Sequence, residues 1–545
     1  MAITNSEIVY KVKLLSNLLE LHNDNPFKIR SLQNAYSTLK KVVDPIGQMD
    51  KDYLGSLPGI GKSIAQTIAD IAADGTSKEL DILLEKTPEG IVEMFNIKGI
   101  GPKKIAQFWH GMGLMSVGEL VYYCTENRLK DAKGFGEKSQ NDILEKAMLY
   151  LSSRDKWLYA RIEAPLAEFE DAMRDSGILQ YQLTGQAYRC EQIVEDVHYI
   201  VEADDWPPYI ENFEAESGDD NMVTGIFKEQ LRMRLSLCLD DVRSEAFVES
   251  FSEKVDIDSL FDRSRIPQAV EEEEIFGSLG LRYIPRELRW DQDLCRLNPS
   301  GLIDHGDIRG VVHCHTTYSD GIHTVREMCA YAREQGYEYI AITDHSQSAF
   351  YANGLIVERV LQQHREIDQV AAEFPDLKIF KSIESDILND GRLDYEDEFL
   401  ERFDFVIGSV HSVLNMDVER ATDRLVRAIE HPSMHMLGHM TGRLLLARKG
   451  YPLHVGKIID ACVANGVAIE LNANPQRLDM DHTLLRKATD KGVLISINPD
   501  AHSKQGIHDI RYGVIAGRCG GLEKSSVINT MDAGGFLLKL KGRGL

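Results

Sequence analysis

Histidine and carboxylate residues recur at regular places in the C-terminal part of this chain. They are His313-Cys-His315 with Asp320 five residues on, Asp344-His345, Glu384 with Asp386, His411, His439, and Asp500-Ala-His502. Fourteen of the seventeen histidines follow residue 300; only His22, His110 and His198 precede it. Imidazole nitrogen and carboxylate oxygen together suit zinc, manganese or iron. So many candidate ligands exceed the needs of one ion, and a carboxylate such as Glu384 can bridge neighbours. Two or three ions a few ångströms apart would clamp a phosphate and generate a hydroxide at neutral pH, with no protein nucleophile required. A lone histidine at a strand end is more often a structural hydrogen-bonder than a ligand. Here nearly every strand end of one region delivers His, Asp or Glu, which favours a metal centre. His305, His323, His364, His431, His435, His454, His482 and His508 keep the structural reading, although His323 and His435 lie near the motifs.

These residues need elements that bring them together. From 309 onward short apolar runs alternate with amphipathic helical segments such as HTVREMCAYAREQG. The runs are RGVVHCHT, EYIAITDH, LKIFKSIESDI, FDFVIGSVHS, MHMLGHM, VAIELNAN and VLISINPDAHS. Seven such units predict a β/α barrel, whose chemistry collects at the C-terminal ends of its strands. The H-x-H and D-x-H pairs then fall on one side of an extended strand end, because side chains alternate with period two.

At 545 residues the chain predicts three or four domains. Residues 1–155 read as mostly helical, with three glycine turns of one pattern: LPGIGKSIAQTI (57–68), IKGIGPKKIAQF (97–108) and AKGFGEKSQNDI (132–143). Such a turn before a helix exposes backbone N–H groups at a helix N-terminus, an anion site. Paired helices joined this way grip DNA phosphates without reading bases. The turn residues are Gly59/Gly61, Gly99/Gly101 and Gly134/Gly136, with Lys62, Lys103, Lys104 and Lys138 adding charge. Residues 156–290 mix strand-like runs (VHYIVEA, LRMRLSLCL) with acidic loops (AESGDD, EEEE), predicting a small α+β domain, and a linker at 289–308 leads to the C-terminal region. The net charge of −25 argues against non-specific coating of nucleic acid, though not against local contacts through amides and a few lysines. No apolar run approaches the roughly 20 residues needed to span a bilayer, the first residues lack a signal-peptide plan, and the eight cysteines are scattered. A cytoplasmic protein with reduced thiols is expected.

VHCHTTYSDG, ITDHS, IESDIL, SVHS, GHMTGR and NPDAHS resemble the motifs of the polymerase and histidinol phosphatase (PHP) superfamily. Their order, together with FGSLGLRYIPRELR (276–289) and NPFKIRSLQNAY near the N-terminus, resembles bacterial family X DNA polymerases over essentially the whole chain. The fold implied is multidomain: an N-terminal all-α helix-hairpin-helix region, an α+β nucleotidyltransferase-like palm and a C-terminal distorted (β/α)7 PHP barrel. The boundaries expected are 1–85 for the small domain with the first hairpin and 86–155 for a fingers-like domain with the other two. Palm and thumb are expected over 156–295 and the PHP domain over 305–545. By motif position the resemblance implies His313, His315, Asp320, His345, Glu384, His411, His439, Asp500 and His502 as ligands of up to three Mn²⁺ or Zn²⁺ ions. It implies a metal-dependent 3′-5′ exonuclease or 3′-end phosphoesterase in DNA repair, acting on gapped DNA or 3′ ends. Arg443 in the TGR motif is a candidate phosphate contact, its alternative being a buried structural salt bridge. The position aligned with the family's lyase lysine is Thr67, with only Lys62 or Lys40 nearby, which argues against lyase chemistry.

The middle region departs from the resemblance. A nucleotidyltransferase palm holds two Mg²⁺ with a D-x-D pair and a third aspartate on a neighbouring strand. In GQAYRCEQIVEDVH (185–198), Gly185, Arg189 and Asp196 fit, but Gln186, Glu195 and His198 replace the serine, glycine and second aspartate. LRMRLSL (231–237) puts Arg232 where the third carboxylate should be. Asp196 alone cannot hold two Mg²⁺, so polymerase activity is expected to be lost, with the palm kept as a DNA-positioning scaffold. The alternatives are an active template-dependent polymerase, an end-binding scaffold without turnover, and a small-molecule phosphatase of histidinol phosphatase type.

Overall fold

In the computed structural model the chain divides into two compact units, residues 1–125 with 133–151, and residues 126–132 with 152–545. The structure describes residues 5–542 apart from 41, 43–44, 153–155, 203–208, 219–220, 229–230, 239–241 and 268–270. The ends of the AESGDD, VHYIVEA and LRMRLSLCL segments therefore lie outside the described residues.

The first unit is helical, as its periodicity predicts. In the helix Lys62–Asp74, Ile64, Ala65, Ile68 and Ile71 recur at helical spacing and are all buried. Asn25 caps Pro26–Leu39 by accepting from Phe27 N at 3.0 Å, and Asp50 caps Lys51–Ser56 by accepting from Tyr53 N at 2.7 Å. Each glycine repeat is a turn between helices: Lys51–Ser56 to Lys62–Asp74, Glu89–Met94 to Pro102–Ala106, and Val117–Thr125 to Glu137–Ser152. Gly59, Gly99 and Gly134 have φ of 78°, 86° and 92°, which a side chain would strain. Gly61 and Gly101 are the N-caps of the helices that follow.

Within the second unit, residues 157–238 form a five-stranded sheet. Its spatial order is Tyr181–Thr184, Val197–Glu202, Leu231–Cys238, Met222–Phe227 and Phe213–Gly218. The second and third of these are parallel and the other pairs antiparallel. The helix Tyr159–Asp175 covers one face, burying Ile162, Leu166, Phe169 and Met173 against Tyr199, Val201, Met233 and Leu235. Fastenings to the C-terminal region run through Arg518–Glu287 (2.8 Å), Arg511–Glu163 (2.6 Å) and Trp290 Nε1 donating to Cys519 O (2.8 Å).

The C-terminal region is a seven-stranded parallel sheet in sequence order: Gly310–Cys314, Tyr339–Ile342, Lys378–Asp386, Phe405–Ser409, Met436–Leu437, Ala468–Asn472 and Ile495–Asn498. These are the seven apolar runs of the sequence, buried on both faces as parallel strands require. The sheet nearly closes into a barrel. His315 N donates to Ala501 O and Ala501 N to His313 O, joining the ends of the first and seventh strands. Helices between strands are set by local signals; Thr324 and Glu327 form a capping box at the start of Val325–Glu334.

Candidate metal centre

The strand ends converge as the pattern predicts, with one difference in how they do so. The first strand does not continue in simple alternation to His315: its register shifts between Val311 and Cys314, and His313 has φ 66°. Asp500 is likewise left-handed at φ 53°. Both are candidate ligands, and each marks a backbone held against its own preference by the surrounding fold. The kinks carry both members of each pair inward.

Three overlapping groups of potential ligand atoms result: His315, Asp320, His345 and His502; His313, His315 and Asp500; His345, Glu384 and His411. Within the first, His502 Nε2 lies 3.3 Å and His345 Nε2 3.6 Å from Asp320 Oδ1. Within the second, His315 Nε2 is 3.2 Å and His313 Nε2 3.5 Å from Asp500 Oδ1. Glu384 is shared most widely. Its Oε1 lies 3.2 Å from His313 Nε2, 3.2 Å from His411 Nε2 and 3.1 Å from His439 Nε2, while Oε2 is 2.8 Å from His345 Nδ1. A neutral imidazole has one lone pair, so His315 and His345 each serve one group at a time.

The residues fit divalent cations. His313 Nε2, His315 Nδ1, His345 Nε2 and Glu384 Oε2 are buried without a hydrogen bond, a costly arrangement that a metal ion would relieve. Burial and the neighbouring His502 and His345 bring the His315 ring down to about 3, leaving it neutral with a lone pair to offer. At His411 burial is outweighed by Glu384 and Asp386, and the ring is pushed up to about 9. His313 and His502 are raised against burial by their carboxylate neighbours. Burial would lift Asp320, Glu384 and Asp500, but surrounding imidazoles hold all three well below the usual carboxylate range, Arg128 helping at Asp320 and Arg477 at Asp500.

Other predicted residues fall in different places. Asp344 is a structural hub that accepts from Thr316, Ser319 and Gln363. Asp386 accepts from His411 Nδ1 at 2.5 Å and so stands behind a candidate ligand. The Nδ1 atoms of His323 and His435 accept from the backbone N–H of Lys504 and Val406, in keeping with the structural reading. Arg443, the candidate phosphate contact or structural salt bridge, makes several protein contacts. It pairs with Asp481 and donates to the carbonyls of Arg477 and Leu478 and, at 3.0 Å, to Gln192 Oε1. The arginines at the ligand groups are instead Arg128, 2.8 Å from Asp320 Oδ2, and Arg477, 3.5 Å from Asp500 Oδ2. Glu470 was not singled out in the sequence, yet its Oε2 lies 2.6 Å from His313 Nδ1. Its signal was a carboxylate in the middle of the apolar run VAIELNAN.

In the middle region His198 is paired with Arg234 on the parallel neighbour strand, and Arg234 binds Asp196 at 2.6 Å. Arg232 instead meets Glu216 at 2.8 Å. Buried His198 hydrogen-bonds Ser236 Oγ through Nε2 at 2.9 Å, and burial with Arg234 brings its ring down to about 4. Asp196 thus faces a guanidinium where a palm would offer further carboxylates. In the helical unit Gly61, Lys62, Gly101, Lys103 and Lys138 are exposed and Lys104 half-buried, with open space around Gly61, Gly101 and Gly136. Thr67 bonds back to Ser63 O at 3.3 Å and brings no amine to its position.

Comparison with known proteins agrees with this layout. Residues 312–474 match the PHP domain, residues 3–77 a helix-hairpin-helix domain, and residues 91–148 a SAM-like helix-hairpin-helix tandem. Probable phosphatases of Caldicellulosiruptor bescii and of Thermoanaerobacter sp. (strain X514) are 29% and 25% identical to it, over 36% and 40% of this chain and 80% and 89% of theirs. Fold and site together define a metal-dependent phosphoesterase of the PHP class joined to DNA-binding hairpins. The DNA polymerase/3′-5′ exonuclease PolX of Bacillus subtilis (strain 168) is 32% identical over 569 aligned positions, 96% of this chain and 97% of that protein. The chain belongs to the PolX family.

Proposed function

We propose that this protein trims or unblocks DNA 3′ ends in repair, by hydrolysis at the C-terminal centre, with its polymerase activity lost. The observation that carries the reading is the Glu384 carboxylate, within 3.2 Å of ring nitrogens of His313, His345, His411 and His439 and so able to bridge ions. Nine residues would hold the ions: His313, His315, Asp320, His345, Glu384, His411, His439, Asp500 and His502. Mn²⁺ or Zn²⁺ bound there would supply positive charge to a phosphate and activation of water. The chain's own part is orientation. Carboxylates accept the Nδ1–H of His313 and His411, which turns each Nε2 toward the centre, where a bound ion would displace its proton. We read Arg443 as a structural anchor, and the exposed hairpin turns as a sequence-independent grip on the backbone of gapped DNA or a 3′ end. The segments 1–85, 86–155, 156–295 and 305–545 then act as grip, second grip, scaffold and hydrolase. A cytoplasmic setting accords with eight unpaired cysteines.

Loss of polymerase activity rests on the Asp196–Arg234 pair, since a guanidinium beside the remaining carboxylate repels Mg²⁺. The test compares turnover with Mn²⁺ on a 3′-phosphorylated oligonucleotide and on histidinol phosphate. Preference for the oligonucleotide, abolished in His315→Ala and Asp500→Ala, is expected. Full activity in both variants contradicts the site; preference for histidinol phosphate contradicts the substrate.

A further inference from the structure

Three candidate ligand histidines share one arrangement, in which Nε2 faces the centre and Nδ1 meets a carboxylate behind it. His313 Nδ1 meets Glu470 at 2.6 Å and His411 Nδ1 meets Asp386 at 2.5 Å, both carboxylates coming from barrel strands. His502 Nδ1 meets Glu126 Oε2 at 2.6 Å and also the backbone oxygen of Asp500 at 3.0 Å. Glu126 is not a barrel residue. It opens the loop 126–132 that follows the helix Val117–Thr125 and belongs to the C-terminal unit. The carboxylate is buried, and its Oε1 accepts from Asn474 Nδ2 at 3.2 Å, so both oxygens are engaged.

Two residues on, Arg128 treats a second ligand of the same group similarly. Its Nε donates to Asp320 Oδ2 at 2.8 Å, leaving Oδ1 turned toward His345 and His502. The guanidinium lies over the Tyr351 ring, 5.1 Å from its centroid, and is buried with its partner. Glu126 thus holds the outward nitrogen of His502, and Arg128 the outward oxygen of Asp320, with Arg128 Nη2 also 3.5 Å from His502 Nε2.

We propose that the loop 126–132 is a working part of the metal centre: Glu126 and Arg128 are positioning residues for the ion held by His315, Asp320, His345 and His502. A carboxylate that accepts the second N–H of a ligating imidazole fixes its tautomer and strengthens its donor atom, and loss of such a partner costs about 10- to 100-fold in metal affinity. Arg128 fixes the Asp320 carboxylate, which a mobile side chain would present less often.

The inference rests on the metal-centre reading, and the experiment separates the two. Mn²⁺ binding to the full chain is measured by equilibrium dialysis for the wild type, Glu126→Gln, Glu126→Asp and Arg128→Gln, with circular dichroism recording that each is folded. Glu126→Gln keeps shape and removes charge; it is expected to loosen one ion about 10- to 100-fold and leave the others at wild-type affinity. Glu126→Asp is expected to recover part of that loss, which a general packing defect would not do. Arg128→Gln is expected to loosen the same ion. Wild-type affinity for every ion in Glu126→Gln and Arg128→Gln overturns the inference and leaves the centre standing. Absence of Mn²⁺ binding in the wild type overturns the centre itself. If Glu126→Gln is unfolded, the Arg128→Gln result decides alone.

Discussion

Glu384 is the residue on which most of the candidate centre turns, because its two oxygens approach four imidazoles from four different strand ends. Glu384→Gln keeps the volume and removes the charge. It should lower Mn²⁺ capacity in dialysis and cut turnover by more than about 100-fold, beyond what loss of an outer partner costs. Arg443 should behave in the opposite way. Its guanidinium binds Asp481 and two carbonyls, so Arg443→Ala should cost about 2–4 kcal/mol in urea unfolding and change turnover less than about twofold. Burial would raise the Asp481 carboxyl, but Arg443 and His482 bring it down to about 2. A folded value below the unfolded value of about 4 makes this contribution fully present above pH 4, and it is lost as pH falls toward 2. Arg443→Ala should flatten that part of the acid-unfolding curve.

At the scale of elements, the seven barrel strands were legible because parallel strands buried on both faces read as short unbroken apolar runs. The hairpins were legible through glycines that only a left-handed backbone explains. Other features were not. The kink at His313 breaks strand alternation, and the sequence carries no sign of it. Glu126 and Arg128 lie in a loop far from the motifs they support, and only folding brings them near. Likewise only the folded side chains show Arg234 rather than Arg232 as the partner of Asp196. For the hairpins, Lys62→Ala and Lys103→Ala should each weaken DNA binding about equally across sequences. Each should reduce the slope of log affinity against log salt by about 0.7 to 0.9, and an unchanged slope removes that lysine from the interface. In the palm sheet, burial and Arg234 bring His198 to about 4, below its unfolded value of about 6.5. Stability from the neutral ring is then fully present above pH 6.5 and lost as pH falls toward 4, which proton-detected titration of the ring should follow. A midpoint near 6.5 would place the ring in solvent instead.

For the molecule as a whole, this PolX-family chain keeps hairpins and a PHP barrel, while the sheet between them in sequence carries arginine beside its remaining aspartate. No described helix is long and apolar enough to cross a membrane. Under the proposed function hydrolysis is the chain's single chemistry, and one assay bears on that most directly. The protein is given gapped DNA labelled at the 5′ end of the primer, with Mn²⁺ and all four dNTPs, beside His315→Ala and Asp196→Ala. The predicted result is shortening of the primer by wild type and Asp196→Ala, no shortening by His315→Ala, and extension by none of them. Primer extension by the wild type that Asp196→Ala abolishes would contradict it.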